Sequence, residues 1–334
     1  MDTTLNLVPV QHRGSTNENQ FSRDTERVST DKPFIQANTI ECSLEEIKSQ
    51  HLIPVYTKDN ERLISCAEFI ETTHAIVSEI YPAETILKPS IRLSHPIKGR
   101  VPDAKDKPAN QLEEWERTIF YERMAFVIEI PTINDEVDGN HLSLTIGGVK
   151  AYNQDNLSNR KGSDEHFKIF IGFHNKVCLN LCVWSDGAMM DLKVSSIGQL
   201  QACIRSLIQN YNQQHHLFHL KQLCEYSLTE QQFAQLVGRT RMYQFLPHAM
   251  KREIPQLLFG DNQMRSIVRD FYNDDSFCKM EDGTLNLWRL YNLFTNANKS
   301  TYIDQFVERG VNAFSFAYNI KSALQHQTFN WYLS

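Results

Sequence analysis

The chain has 334 residues, 41% hydrophobic and 22% charged, with a formal net charge of −6 and a pI near 6.1. That length holds one large domain or two ordinary ones, and the acidic balance gives no global attraction to nucleic acid, so phosphate binding would have to come from local basic patches. No apolar run approaches the roughly 18–20 residues of a membrane-spanning helix, no secretory signal opens the chain, and seven cysteines at irregular spacings are no disulfide framework. The expectation is a cytoplasmic protein with reduced thiols and no membrane partner.

Residues 1–38 read as a mobile polar arm, because their composition buries too little apolar surface to offset ordering. Residues 39–84 read as N-terminal helices. Ser43 with Glu46, and Ser65 with Glu68, are capping boxes, and Ile64 and Phe69 occupy staple positions at the second. Near-helical apolar spacing then runs to Pro82.

The next segment, 85–228, opens with a basic loop. Prolines at 89, 96, 102 and 108 preclude a continuous helix there. Lys88, Arg92, Lys98, Arg100, Lys105 and Lys107 oppose only Asp103 and Asp106, a local +4. With His95, this reads either as a phosphate-contacting loop or as a solvated linker.

Apolar residues then alternate with a period near two from Ile119 to Val194, the pattern of an antiparallel β-meander. Pro131 should end the first strand, and Asp138-Gly139 signals a hairpin. Gly147-Gly148 marks a bulge or a close backbone approach. Phe167, Ile169, Ile171 and Phe173 form a third strand, and His174-Asn175 turns the chain into Val177–Trp184. Ser185-Asp186-Gly187 turns it again into Met189–Val194, giving five neighbouring strands. Leu200, Cys203, Ile204, Leu207 and Ile208 form the stripe of a covering helix.

Residues 229–334 read as a helical region packed on the same core, opened by the Thr229/Gln232 capping box and with Gly238 as the first helix stop. The last helical pattern pauses at Gly310. Arg239, Arg241, Lys251 and Arg252 lie among Tyr243, Phe245 and His248 with no acid between them. Basic residues interleaved with aromatics suit single strands, since rings stack on bases while cations meet phosphates. The alternative is a helix with Phe245 and Leu246 inward and its arginines in water. The fold class expected is α+β: an antiparallel five-stranded β-meander covered by helices, with a largely helical C-terminal half.

No Walker A loop, G-x-S-x-G elbow, H-E-x-x-H or G-x-G-x-x-G fingerprint occurs, and no cofactor is expected. Cys178 and Cys182 share a strand face but lie roughly 13 Å apart, too far to share one zinc. His215 and His219 share a helix face near Cys224 without a second spaced ligand pair, so no metal is expected. Asp191-x-Lys193 at a strand end, with Asp186 as a second carboxylate, is the one nuclease-like arrangement, since hydrolysis needs a held Mg²⁺ and an oriented water.

Four stretches together are similar to a known family: Arg92-Leu-Ser-His95-Pro96-Ile-Lys98-Gly99-Arg100, Tyr121-Glu122-Arg123-Met124-Ala125-Phe126, Gly147-Gly148-Val-Lys150-Ala-Tyr152-Asn153 and Phe170-Ile-Gly172-Phe. From about residue 35 onward the chain resembles an uncharacterised domain-of-unknown-function family encoded on bacterial mobile genetic elements. More distantly, Cys178-x-Asn180 and Leu287-Trp288-x-x-Tyr291-Asn292 resemble the phage/plasmid-like protein family, although Leu181 stands where that family tends to glycine. The resemblance implies a plasmid, phage or conjugative-element setting and carries over no catalytic residue.

Three functions compete. The first is an accessory protein of a mobile element that binds single-stranded DNA through Lys88, Arg92, His95, Lys98, Arg100, Arg239, Arg241, Tyr243 and Arg252, with the seven lysines and arginines among them lining one groove. The second is an adaptor or anti-defence factor whose partner is a host or element-encoded protein. The third is a nuclease using Asp186, Asp191 and Lys193.

Overall fold

The computed structural model describes residues 33–50, 64–94, 97–100, 102–104, 106–154, 164–176, 180–183 and 189–334. The arm up to residue 32, His95, Cys178 and the Ser185-Asp186-Gly187 turn lie outside the described residues. The last residues assigned to the arm are packed. Phe34 and Ile35 are buried, Phe34 meets Phe306 edge-on at 6.2 Å, and the amides of Gln36 and Ala37 both donate to the Lys299 carbonyl.

Strand β1 (Thr39–Cys42) leads into helix α1 (Leu44–Gln50), and helix α2 spans Cys66–Ile80. The Ser65/Glu68 capping box forms reciprocally: the Ser65 hydroxyl accepts the Glu68 amide at 3.0 Å and the Glu68 carboxylate accepts the Ser65 amide at 2.9 Å. Strands β2 (Ser90–Ser94) and β3 (Ile97–Arg100) occupy the basic segment, and β4 (Arg117–Tyr121) and β5 (Arg123–Val137) follow. Then come β6 (Asn140–Ala151), β7 (Glu165–Asn175), β8 (Asn180–Val183) and β9 (Met189–Val194).

The main sheet has seven strands, not five, in the order β1-β2-β5-β6-β7-β8, with β9 also on β7, and every pairing is antiparallel. Three expectations change. Pro131 does not end its strand: pairing lapses between Ile130 and Asn134 and resumes to Val137, which places the proline at a bulge where no amide is needed. His174 and Asn175 remain in β7, opposite Leu181 and Asn180, so the reversal falls after them. Strands β8 and β9 are not a hairpin. Both run antiparallel to β7 and share its edge end to end, β8 along Gly172–Asn175 and β9 along Glu165–Phe170. The Asp138-Gly139 hairpin forms as expected, with φ of 50° and 72°.

Register sorts the sheet into two faces. Met124, Phe126, Ile128 and Ile130 lie beside Lys150, Gly148, Ile146 and Leu144, and these beside Phe167, Ile169, Ile171 and Phe173. Helix α2 covers this face with Phe69, whose ring meets Phe126 at 5.1 Å and Phe167 at 4.8 Å. It sits where Gly148 leaves room, so the glycine pair serves close approach. Helix α3 (Ile197–Asn210) packs beside α2 on β7 and β9, and α4 (Gln213–Gln222) brings His216 to 5.5 Å from Phe173.

The opposite face carries buried polar groups among apolar ones such as Val127, Val149 and Phe170. Ser143 donates to Glu129 at 2.8 Å, and His174 Nδ1 lies 3.3 Å from the same carboxylate. Just ahead of β2 the chain already meets β5, where the Leu87 amide donates to the Glu129 carbonyl.

The C-terminal region is helical, as expected: α5 (Glu230–Phe245), α6 (His248–Lys251), α7 (Asp261–Asn273), α8 (Leu287–Asn298) and α9 (Ile303–His326). Two short strands, β10 (Ser227–Leu228) and β11 (Leu285–Asn286), pair there. Neither Gly238 nor Gly310 stops its helix. Phe233, Leu236, Thr240 and Tyr243 are one buried stripe, and its packing outweighs the roughly 1 kcal/mol helical cost of Gly238. Helix α9 packs on β8, β6 and β5, and its first turn meets this opposite face: Lys168 Nζ donates to the Asp304 carbonyl at 2.7 Å.

Gly172 faces the β8 backbone. A Cβ there would collide with the Cys182 carbonyl oxygen and stand 3.3 Å from Val183 Cα. Because strand backbone cannot rotate away, Gly172→Ala should destabilise by about 1–3 kcal/mol in urea unfolding. Gly198→Ala, where a Cβ meets nothing within 4 Å, should not destabilise.

Candidate functional site

Beyond the main sheet, β2 and β5 continue as β3 and β4, which form a separate two-stranded ribbon. The Arg123 amide donates to Ser94 Oγ at 3.0 Å where the ribbon leaves the sheet. Its ladder runs from Ile97 opposite Tyr121, through Lys98 opposite Phe120 and a bulge at Gly99, to Arg100 opposite Arg117. Like charges at opposed ladder positions are unfavourable. The connection between the two ribbon strands carries Trp115, 69% exposed. Beside it, Lys107 is paired with the buried Glu116 and holds that carboxyl below its usual range.

Several candidate residues named from sequence have internal partners instead. Arg92 donates to the Thr39 hydroxyl at 3.1 Å and the Thr39 carbonyl at 2.8 Å, fastening β1 to β2. Arg239 donates to the Ser334 carbonyl and lies 5.0 Å over Trp331. Arg241 lies 3.7 Å from Asp261. Tyr243 is 7% exposed, packed on Trp331 and Tyr332, and cannot stack on a base. Lys88 and Arg252 are exposed, and Lys98 and Arg100 belong to the ribbon. The inward residue of that helix end is Tyr243; Phe245 is 80% exposed.

The two cationic segments also root far apart. The ribbon joins β5 at Arg123, whereas α5 follows β10, whose partner β11 is tied to the other end of the hairpin by Asn286 Nδ2 to Asp138 at 3.1 Å. At about 3.3 Å per residue, those two ends of β5 are on the order of 45 Å apart. Among the described candidates, Arg92, Arg239 and Arg241 are engaged within the fold and Tyr243 is buried.

Asp191 and Lys193 are exposed on β9, with Lys168 and His166 as their ladder partners. Among the described residues no group of three or more His, Cys, Asp or Glu could hold a metal ion, and Asp186 lies outside them. A polar cavity of about 440 Å³ opens where α7 and α8 end, lined by Gln36, Arg269, Asp270, Asp274, Asn296 and Lys299. Its Asp270 is committed to Arg269 at 2.7 Å and Asn296 at 3.3 Å.

Sequence reading missed Arg117 and Trp115. The period-two alternation begins only at Ile119, and Arg117 gains its ladder partner through the pairing of β3 with β4.

Residues 16–333 match the family model described as "Domain of unknown function, B. Theta Gene description (DUF3871)". The chain belongs to this family. No curated protein and no solved structure matches the chain. The match covers every described strand and helix, so the ribbon and the helices of the C-terminal half both lie within the family's span.

Proposed function

We propose that the chain is an accessory protein of a mobile genetic element that binds single-stranded nucleic acid along the β3–β4 ribbon. The observation that supports this is the Arg100–Arg117 ladder position, which gathers two guanidinium-bearing residues beside Lys98 at the tip of the basic segment. Phosphate binds such a site through charge, and the exposed Trp115 supplies a ring on which a base can stack. The mobile-element setting rests on the sequence resemblance.

A labelled 30-nucleotide single strand should be retained by the protein in filter binding at low salt. The Arg100→Glu/Arg117→Glu variant should lose at least tenfold in affinity and flatten the salt dependence by about 1.4 in slope, two contacts at roughly 0.7 each. No retention at low salt, or retention untouched by the double variant, overturns the proposal. A stoichiometric protein partner without oligonucleotide binding would favour the adaptor instead.

A further inference from the structure

On helix α4, His215 and His219 lie one turn apart, their rings edge to face with centroids 4.4 Å apart and their Nε2 atoms separated by 3.0 Å. The His219 ring is held from its other sides by Phe218 at 5.6 Å and by Tyr318 of α9 at 5.1 Å. A metal–imidazole bond is about 2.0–2.1 Å, so two nitrogens at adjacent 90° positions on one ion stand about 2.9–3.0 Å apart, and at tetrahedral positions about 3.3–3.4 Å apart. The two nitrogens, joined here by a hydrogen bond, thus stand at a separation that an octahedral or square-planar pair also requires.

We propose that His215 and His219 form a two-imidazole site for a divalent transition ion of the Cu²⁺ or Ni²⁺ type, with water in the remaining positions. Imidazole nitrogen selects these ions over Mg²⁺ and Ca²⁺, which take oxygen ligands, and the general affinity order puts Cu²⁺ first. The last turn of α4, to which His219 belongs, lies at the negative end of the helix dipole, which favours a cation.

The neighbours do not complete the site. Cys224 turns its Sγ back to the Leu220 carbonyl at 3.9 Å, and burial pushes its thiol up to about 12. His216 is buried with Nδ1 2.6 Å from the Tyr211 hydroxyl, and burial holds it down at about 3. The nearby Asp135 carboxylate is taken by Lys221 at 3.0 Å. On this proposal the two imidazoles act as a bidentate pair, which departs from the sequence expectation that no metal is held here.

The test uses the full untagged chain with one equivalent of CuCl₂, read by electron paramagnetic resonance, and a NiCl₂ titration by calorimetry. The copper spectrum should show two equatorial nitrogens, and His215→Gln and His219→Gln should each weaken Ni²⁺ binding at least tenfold. His215→Gln keeps a polar neighbour for His219, so a pair that is merely hydrogen-bonded would leave both readouts unchanged. That result, or no binding at one equivalent, overturns the proposal; the chain's other histidines are silent in the comparison because every variant retains them.

Discussion

Glu165→Ala should cost about 3–5 kcal/mol of stability, the usual penalty for stranding one member of a buried ion pair. Glu165 and Lys150 are 2% and 0% exposed, joined at 3.1 Å. The ammonium also reaches the His166 carbonyl at 3.4 Å and lies 4.0 Å over the Phe167 ring. None of these replaces a full counter-charge in a medium of low dielectric. The carboxylate has a second task. Its Oε1 accepts the Ile64 amide at 2.9 Å and so ties the entry of α2 to β7. Urea unfolding of Glu165→Ala should show a lower midpoint at unchanged slope. The pair Lys150→Met/Glu165→Gln removes the charge and keeps an acceptor for Ile64, and should recover most of the loss. A single variant within 1 kcal/mol of the parent would show that the pair is solvated.

The second large effect lies directly beside it. Phe69→Ala removes a ring with no exposed surface that two phenylalanines flank edge-on, and should cost about 3–5 kcal/mol. Gly148→Ala puts a methyl where the Phe69 ring now sits and 2.8 Å from Phe126 Cε1. Alone it should cost about 1–3 kcal/mol. Together the losses should fall short of their sum, because the cavity left by the ring receives the methyl. A coupling of about 0.5–3 kcal/mol in a double-mutant cycle is the expected result. Strict additivity would mean that helix and sheet do not meet at this point.

The parts of the fold legible in sequence are those specified by neighbours along the chain. Ser65 with Glu68 and Thr229 with Gln232 close capping boxes within a single turn, and Asp138-Gly139 closes its hairpin within two residues. Phe167, Ile169, Ile171 and Phe173 stand out because they share one apolar face of β7, while Lys168 and His174 meet polar partners on the other. Strands β1 and β2 are not legible because each is only four or five residues long and their mutual register joins positions 49 to 55 residues apart. Gly238 and Gly310 sit in helices whose buried stripes contribute more than the roughly 1 kcal/mol cost of a glycine, whereas Pro131 is accommodated at a bulge where the ladder needs no amide.

Charge was the least legible quantity at the candidate site. Arg92 and Arg241 look alike in sequence, yet one staples two strands and the other reaches Asp261 at the surface. The ribbon's cations can be ranked above them only because the ladder sets Arg100 against Arg117.

The graded strand lengths have a consequence for how the molecule coexists with its own copies. Its most apolar strands, β5, β6 and β7, run 15, 12 and 11 residues, and all three lie inside the sheet. The margins are held by β1, β8 and β9, of four, four and six residues. A margin that short offers few open amides and carbonyls to template another chain. In the main sheet the long apolar strands are thus shielded by short ones, and a neighbouring copy meets few open amides and carbonyls along its margins.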